Sequence, residues 1–149
     1  MNPAIERAEA FCARFGLRVP ILLAPMAGAT PPALSAAVSS AGGLGACGAL
    51  LMRPDEILAW ARAARAASNS AFQINTWIPD PAPARDRDHE ARVRDFLGRW
   101  GPEVPPEAGE AAPPDFDAQC RAILEAGPAI VWFCVTLCGG SDSAEDALP

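Results

Sequence analysis

Apolar and polar positions in this chain fall into blocks whose period switches between helical spacing and short continuous runs. Asn2-Pro3 forms an N-cap followed by proline at the first helical position, and Ile5, Ala8, Cys12 and Phe15 then share one helical face. Gly16 can close that helix in the left-handed conformation. The run Pro20-Ile21-Leu22-Leu23-Ala24-Pro25-Met26-Ala27-Gly28 breaks the period. Consecutive apolar residues bounded by turn formers predict a strand buried on both faces, as in a parallel sheet. Thr30 is expected to cap the next helix, with Pro31 in its first turn and Leu34, Ala37, Val38 and Ala41 as its buried stripe. Gly42 ends it. Leu44 to Cys47 reads as a second strand. Pro54, Asp55 and Glu56 open a helix lined by Ile57, Trp60, Ala61, Ala64 and Ala67, and Phe72 to Thr76 makes a third strand.

A proline-rich connection, Trp77 to Arg85, leads to a charged helix from Asp86 to Trp100, with Val93, Phe96, Leu97 and Trp100 on its apolar side. Gly101 to Pro114 reads as an irregular surface loop, and the whole insert, 77–114, as a lid. Asp115 caps a further helix whose expected inner residues are Phe116, Cys120, Ile123 and Leu124. Gly127 terminates it, and Ala129 to Val135 is the fourth strand. Strand and helix alternate at about 25 residues per unit, the period of a (β/α)8 barrel. The predicted fold is therefore α/β, a partial (β/α)8 TIM barrel of about four parallel βα units with an insert after the third strand. Residues 1–133 form that barrel portion, and 134–149 read as a divergent, loose tail. About four of eight units is the signature expected of a truncated, frameshifted or cut chain. The first and fourth strands would then be open edges, which favours self-association.

Composition narrows the partners. Half of the 149 residues are hydrophobic and 20% are charged, which suits a packed domain. Net charge is -6 and no Lys/Arg cluster could track a phosphate backbone, so no nucleic-acid partner is expected. The apolar run from Ala129 to Cys138 is too short for a bilayer, and Glu6, Arg7 and Glu9 interrupt any leader, so the expectation is a cytoplasmic protein without a membrane partner. Cys12, Cys47, Cys120, Cys134 and Cys138 are odd in number and scattered, and read as small core residues rather than disulfides. Cys134 and Cys138 stand four apart, but the single histidine lies elsewhere, so no metal site is expected.

The C-terminal ends of parallel strands are where α/β folds hold ligands. Ala24, Ala27 and Gly28 are small enough for a flat ring to approach the main chain, and Met26 is polarizable. Asn75 ends an apolar strand, where it either hydrogen-bonds a ligand or caps a backbone group. Gln73 shares its side of the strand by period-two alternation. Trp77, at the mouth of that strand, either stacks on a ligand or packs locally. Gly43-Leu44-Gly45-Ala46-Cys47-Gly48 matches the dinucleotide fingerprint in letters, but a helix precedes it and a strand follows, the reverse of what phosphate binding needs. Gly42 and Gly43 read as a helix cap and tight turn. His89 lies among Asp86, Arg87, Asp88 and Glu90 in a solvated helix start and receives no catalytic role.

Ala24-Pro25-Met26-Ala27-Gly28, then Ser40-Ala41-Gly42-Gly43-Leu44-Gly45, then Phe72-Gln73-Ile74-Asn75, resemble nitronate monooxygenase (formerly 2-nitropropane dioxygenase) in that order, over about Leu17 to Phe133. The resemblance implies a barrel that holds FMN non-covalently at its mouth and oxidises an alkyl nitronate, a small-molecule substrate, with oxygen. It places the backbone of Ala24, Pro25 and Met26 along the flavin ring and a hydrogen bond from Asn75 to it. At Gln73 the family usually has a small residue. The family's catalytic histidine comes later, in a strand-end loop that His89 does not match, and Cys134 to Asp142 depart from the pattern. The isolated chain is therefore expected to bind FMN weakly or not at all and to turn over no nitronate. A flavin-dependent enoyl reductase is the alternative, disfavoured by Pro25 where those relatives tend to carry glycine. A non-catalytic remnant is another.

Overall fold

The computed structural model describes residues 2–68, 71–81, 84–110 and 112–135. Cys138 and the expected tail beyond Val135 lie outside them. The described residues divide into two units, one formed by the chain up to Pro79 and from Pro114 onward, the other by Asp80–Pro113.

The first unit holds a parallel sheet in the order β1 (Gly45–Gly48), β2 (Phe72–Trp77), β3 (Ile130–Cys134). Gly48 stands beside Asn75, and Asn75 beside Trp132. Each crossover carries a helix: α3 (Pro54–Ala67) joins β1 to β2, and α5 (Phe116–Ala126) precedes β3. These alternating parallel βα units give the α/β, partial-barrel architecture that the spacing predicts. Before them come α1 (Pro3–Phe15) and α2 (Pro32–Ser40). The caps are chemically ordinary. Asn2 accepts from the Ala4 N–H at 2.9 Å, Asp115 accepts from the Ala118 N–H at 2.9 Å, and Gly16 and Gly127 close their helices with positive φ.

The core lies between the sheet and the helices. Ile57, Trp60, Ala61 and Ala64 of α3 and Ala122, Ile123 and Ala126 of α5 pack on Cys47, Phe72 and Ile74. Trp60 meets Phe72 edge-on at 5.5 Å between ring centres. Arg65 lies over Phe72 at 4.9 Å and donates to the carbonyls of Ala126 and Gly127, at 2.5 and 3.0 Å, so a cation closes the negative end of α5. Phe72 and Ile74 face the helices, so period-two alternation turns Gln73, Asn75 and Trp77 to the opposite, inner face of the sheet.

Several expectations need correction. The first strand is not a regular strand buried on both faces. Residues 20–27 touch β1 through isolated parallel bridges, Leu22 with Leu44 and Ala27 with Gly48, and Ile21 is 61% exposed. Five steps of chain on one side face four on the other, so an extra residue is accommodated as in a bulge, and Pro20 and Pro25 donate no N–H. On its far side no described strand covers it. The phase of α2 also differs: Ser35, Ala36 and Ser39 are buried, while Leu34 and Ala37 are exposed. Gly45 lets this helix approach closely, and Ser39 Oγ accepts from the Gly45 N–H at 3.0 Å and donates to the Ala71 carbonyl at 3.1 Å. Pro31, not Thr30, is the N-cap of α2. In α5, Gln119 is buried and Leu124 is 76% exposed. No residue of α1 is buried, and of the described cysteines only Cys47 is a fully buried core residue.

The second unit contains α4 (Arg87–Leu97) and a 3-10 turn, Pro106–Glu110, where the sequence predicted an irregular loop. Asp86 caps α4 by accepting from the His89 N–H at 2.9 Å. Arg85 grips Glu90 with two nitrogens at 2.7 and 2.5 Å and reaches Glu110 at 3.3 Å, where Arg87 also binds at 2.9 Å. None of the residues of α4 is buried, and Trp100 is 80% exposed.

Candidate functional site

The carboxyl ends of β1 and β2 are shaped by small residues and by buried amides. A Cβ on Gly48 would lie 2.6 Å from the Ala27 nitrogen and 2.8 Å from the Met26 carbonyl carbon. Only glycine lets the loop after residue 23 settle this closely over the end of β1. The loop then turns tightly. Gly28 takes φ +72°, the amides of Ala29 and Thr30 donate to the Met26 carbonyl at 3.1 and 3.2 Å, and Thr30 Oγ1 donates to that same carbonyl at 2.9 Å. The Trp60 indole N–H reaches the Thr30 carbonyl at 3.0 Å. The loop is thereby tied to α3, and the backbone of Met26–Gly28 sits at the mouth of the parallel strands.

The next strand-end loop is held just as firmly. Gln119 of α5 directs Nε2 at the carbonyls of Ala49, Leu50 and Met52, at 3.1, 3.3 and 2.7 Å. Between the two loops a cleft of about 460 Å³ opens, lined by Ala27, Gly28, Gly48, Met52, Glu56 and Trp60 among others. Cys47 closes its floor, with Sγ 3.7 Å from the Met52 sulfur, and burial pushes its thiol pKa up to about 12. The thiol stays neutral and is no nucleophile near neutral pH.

Of the residues expected at the site, Ala24 is exposed, Pro25 is half-buried, Met26 is 44% exposed and Asn75 is buried. None of the four lines the cleft; their neighbours Ala27 and Gly28 do. Asn75 stands on the inner face in register with Gly48, against which Ala27 rests. Its Nδ2 donates to the Trp132 carbonyl at 3.3 Å and touches Cys134 Sγ at 3.3 Å, which fixes the orientation of the amide. Its Oδ1 accepts no hydrogen bond among the described residues. Gln73, also buried, bonds the Leu23 carbonyl and the Trp132 indole. Trp77 is 43% exposed at the end of β2. The fingerprint-like stretch follows a helix and enters a strand: Ala41 is the C-cap of α2, Gly42 turns with φ +96°, and Gly45 to Gly48 are strand.

A second cleft, of about 680 Å³, lies within 80–113 and is lined by Arg85, His89, Glu90, Val93 and neighbours. Arg85 and Glu90 in its wall are paired with each other, and it has no strand end to build on. Among the described residues no group of His, Cys, Asp and Glu could hold a metal ion, and no helix is long and apolar enough to cross a membrane.

Residues 9–138 match the family described as nitronate monooxygenase. The chain belongs to the nitronate monooxygenase family. The nitronate monooxygenase of Paraburkholderia phytofirmans is 36% identical over 127 residues, covering 79% of this chain and 34% of that protein. That of Pseudomonas aeruginosa is 33% identical over 100 residues, covering 65% and 28%. A nitroalkane oxidase from Streptomyces ansochromogenes superposes with TM-score 0.61 at 28% identity, over 83% of this chain and 35% of that one. The nitronate monooxygenase relatives thus extend well beyond this chain, which spans about a third of their length. Within this chain, the polar residues that fix the mouth, Gln119, Thr30 and Trp60, are not among those the motifs point to. One signal for Gln119 exists in the sequence: it shares a helical stripe with Ala122, Ile123 and Ala126, where a polar residue must find buried partners.

Proposed function

We propose that these residues form the ring-binding side of an FMN site in an oxidoreductase that oxidises alkyl nitronates with oxygen. The observation that carries the reading is the backbone of Met26–Gly28 pressed against Gly48 at the strand ends, with the unpartnered Oδ1 of Asn75 on the adjacent strand. Both features fit a flavin. An isoalloxazine is flat and needs main chain without intervening side chains, and its edge offers an N–H that a fixed amide oxygen can accept. The bound flavin supplies the two-electron chemistry. The chain supplies position: Ala24, Pro25 and Met26 line the ring with main chain, Met26 adds a polarizable contact, and Asn75 accepts from the ring edge with an amide already locked by Trp132. No residue described here is assigned as the base. His89 spends its position on the exposed start of α4.

The test is a titration of the 149-residue chain with FMN and with riboflavin, followed by amide resonances up to millimolar ligand. The reading expects weak, equal binding of both, since the contacts named are to the ring, with shifts at Ala24, Met26, Ala27, Gly28 and the Asn75 side chain. Of the two outcomes the resemblance implies for this chain, weak binding or none, the named ring contacts require the weak one, so shifts confined to the cleft of 80–113, or no shifts at all, would contradict the reading.

A further inference from the structure

Gln73 makes an unusual crossing. It lies on the inner face of β2, is 2% exposed, and uses both ends of its amide. Nε2 donates to the Leu23 carbonyl at 2.8 Å, and Oε1 accepts from the indole N–H of Trp132 on β3. Leu23 belongs to the segment beyond β1, so the side chain reaches across an entire strand. It can do so because its partner in register on β1 is Ala46, which is small and fully buried. One residue therefore couples three neighbours of the sheet on the face opposite the hydrophobic core.

Both ends of the crossing matter to the site. The Leu23 carbonyl is the last fixed point before Ala24, where the bulged segment leaves β1 and becomes the loop over Gly48. Proline at position 25 leaves that stretch one donor short, so the segment cannot be pinned by a continuous ladder. Trp132 in turn holds Asn75, whose Nδ2 donates to its carbonyl. We propose that Gln73 is the positioning residue of the site: it fixes the floor at 24–28 and the Trp132–Asn75 pair relative to one another. The proposal rests on the reading of 24–28 as a ligand floor, yet its geometry is testable without ligand.

The experiment is amide hydrogen exchange and indole resonance mapping on the wild-type chain and on Gln73→Leu, Gln73→Glu and Trp132→Phe, followed by the flavin titration above. Gln73→Leu should speed exchange at Leu23, Ala29 and Thr30 at least tenfold, leave Ile57 and Ile74 unchanged, and move the Trp132 indole N–H resonance. Gln73→Glu keeps the acceptor for Trp132 but cannot donate to Leu23 while ionised. It should preserve the indole resonance and still loosen the loop. Trp132→Phe should loosen the loop less than Gln73→Leu. If Ile57 and Ile74 lose protection together with Leu23, Gln73 is a core residue and the proposal fails. It also fails if loop exchange is unchanged in every variant. Selective loosening in a chain whose wild type shows no flavin shifts would uphold the positioning role and refute the flavin reading. Flavin shifts of wild-type size in a Gln73→Leu chain with an unaltered loop would do the reverse.

Discussion

Gly48→Ala adds one methyl group at the point where the loop meets the sheet. Its carbon would stand 2.6 Å from the Ala27 nitrogen, 2.8 Å from the Met26 carbonyl carbon and 2.9 Å from the Ala27 Cα. Ordinary carbon contacts begin at ~3.5 Å, so the loop or the strand must yield by ~1 Å. All the obstructing atoms are main chain, so no rotamer change can relieve them. Overpacking of this kind costs about 1–3 kcal/mol, and the smaller unfolded-state entropy of alanine returns about 0.4–1 kcal/mol. The expected net loss is on the order of 1–2 kcal/mol, read as a lower urea midpoint at unchanged slope. Gly101→Ala is the control, since a Cβ there meets nothing within 4 Å. The flavin titration should lose its shifts at Met26–Gly28 in Gly48→Ala alone. A Gly48→Ala chain as stable as wild type, with unchanged resonances for 24–28, would refute the close approach on which the site is built.

Other perturbations read out different supports. Gln119→Leu strips the Ala49, Leu50 and Met52 carbonyls of their shared donor and should cost about 2–3 kcal/mol in urea unfolding. Trp60→Phe leaves the Thr30 carbonyl without its indole partner, for about 1–3 kcal/mol, with faster exchange at Ala29 and Thr30. Cys47 ionises near 12 when folded against an ordinary 9.0, so its contribution is complete below pH 9 and is lost as pH rises from there towards 12. Unfolding followed against pH should show that alkaline decline, and Cys47→Ala should flatten it. In 80–113, Arg85 and Arg87 hold Glu90 and Glu110 below the usual carboxylate range. That ion cluster should therefore persist through the ordinary carboxylate range and fail only as pH falls through the lowered values. Followed by α4 amide shifts against pH, Arg85→Ala should move the Glu90 transition up towards the ordinary carboxylate range.

What the sequence disclosed depended on whether the information was local. Caps such as Asn2, Asp115 and Gly127, and the apolar stripe of α3 at Ile57, Trp60, Ala61 and Ala64, follow from neighbours within a turn or two and are present, whereas Ala67, expected on that stripe, is exposed at the helix end. The parallel order of Gly45–Gly48, Phe72–Trp77 and Ile130–Cys134 follows from the alternation of strand and helix. The phase of α2 did not, because Ser35 and Ser39 are inward only by virtue of Gly45 across the interface. Hydrophobicity alone points to Leu34 instead. The bulge at 22–27 was equally hidden, since a run of apolar residues says nothing about register against a partner. At the site, the small residues of the loop were visible as a pattern, whereas the crossing of Gln73 over Ala46 depends on a contact fifty residues apart.

The claim most exposed to refutation is that the main chain of 24–28 is the surface on which a flavin ring rests. Transferred nuclear Overhauser effects between FMN and the isotope-labelled chain measure that contact itself. The account predicts cross-peaks from the dimethylbenzene protons of the ring to Ala24, Met26 and Ala27, and from its N3–H to the Asn75 side chain. Cross-peaks to residues elsewhere, with none to 24–28, would contradict it.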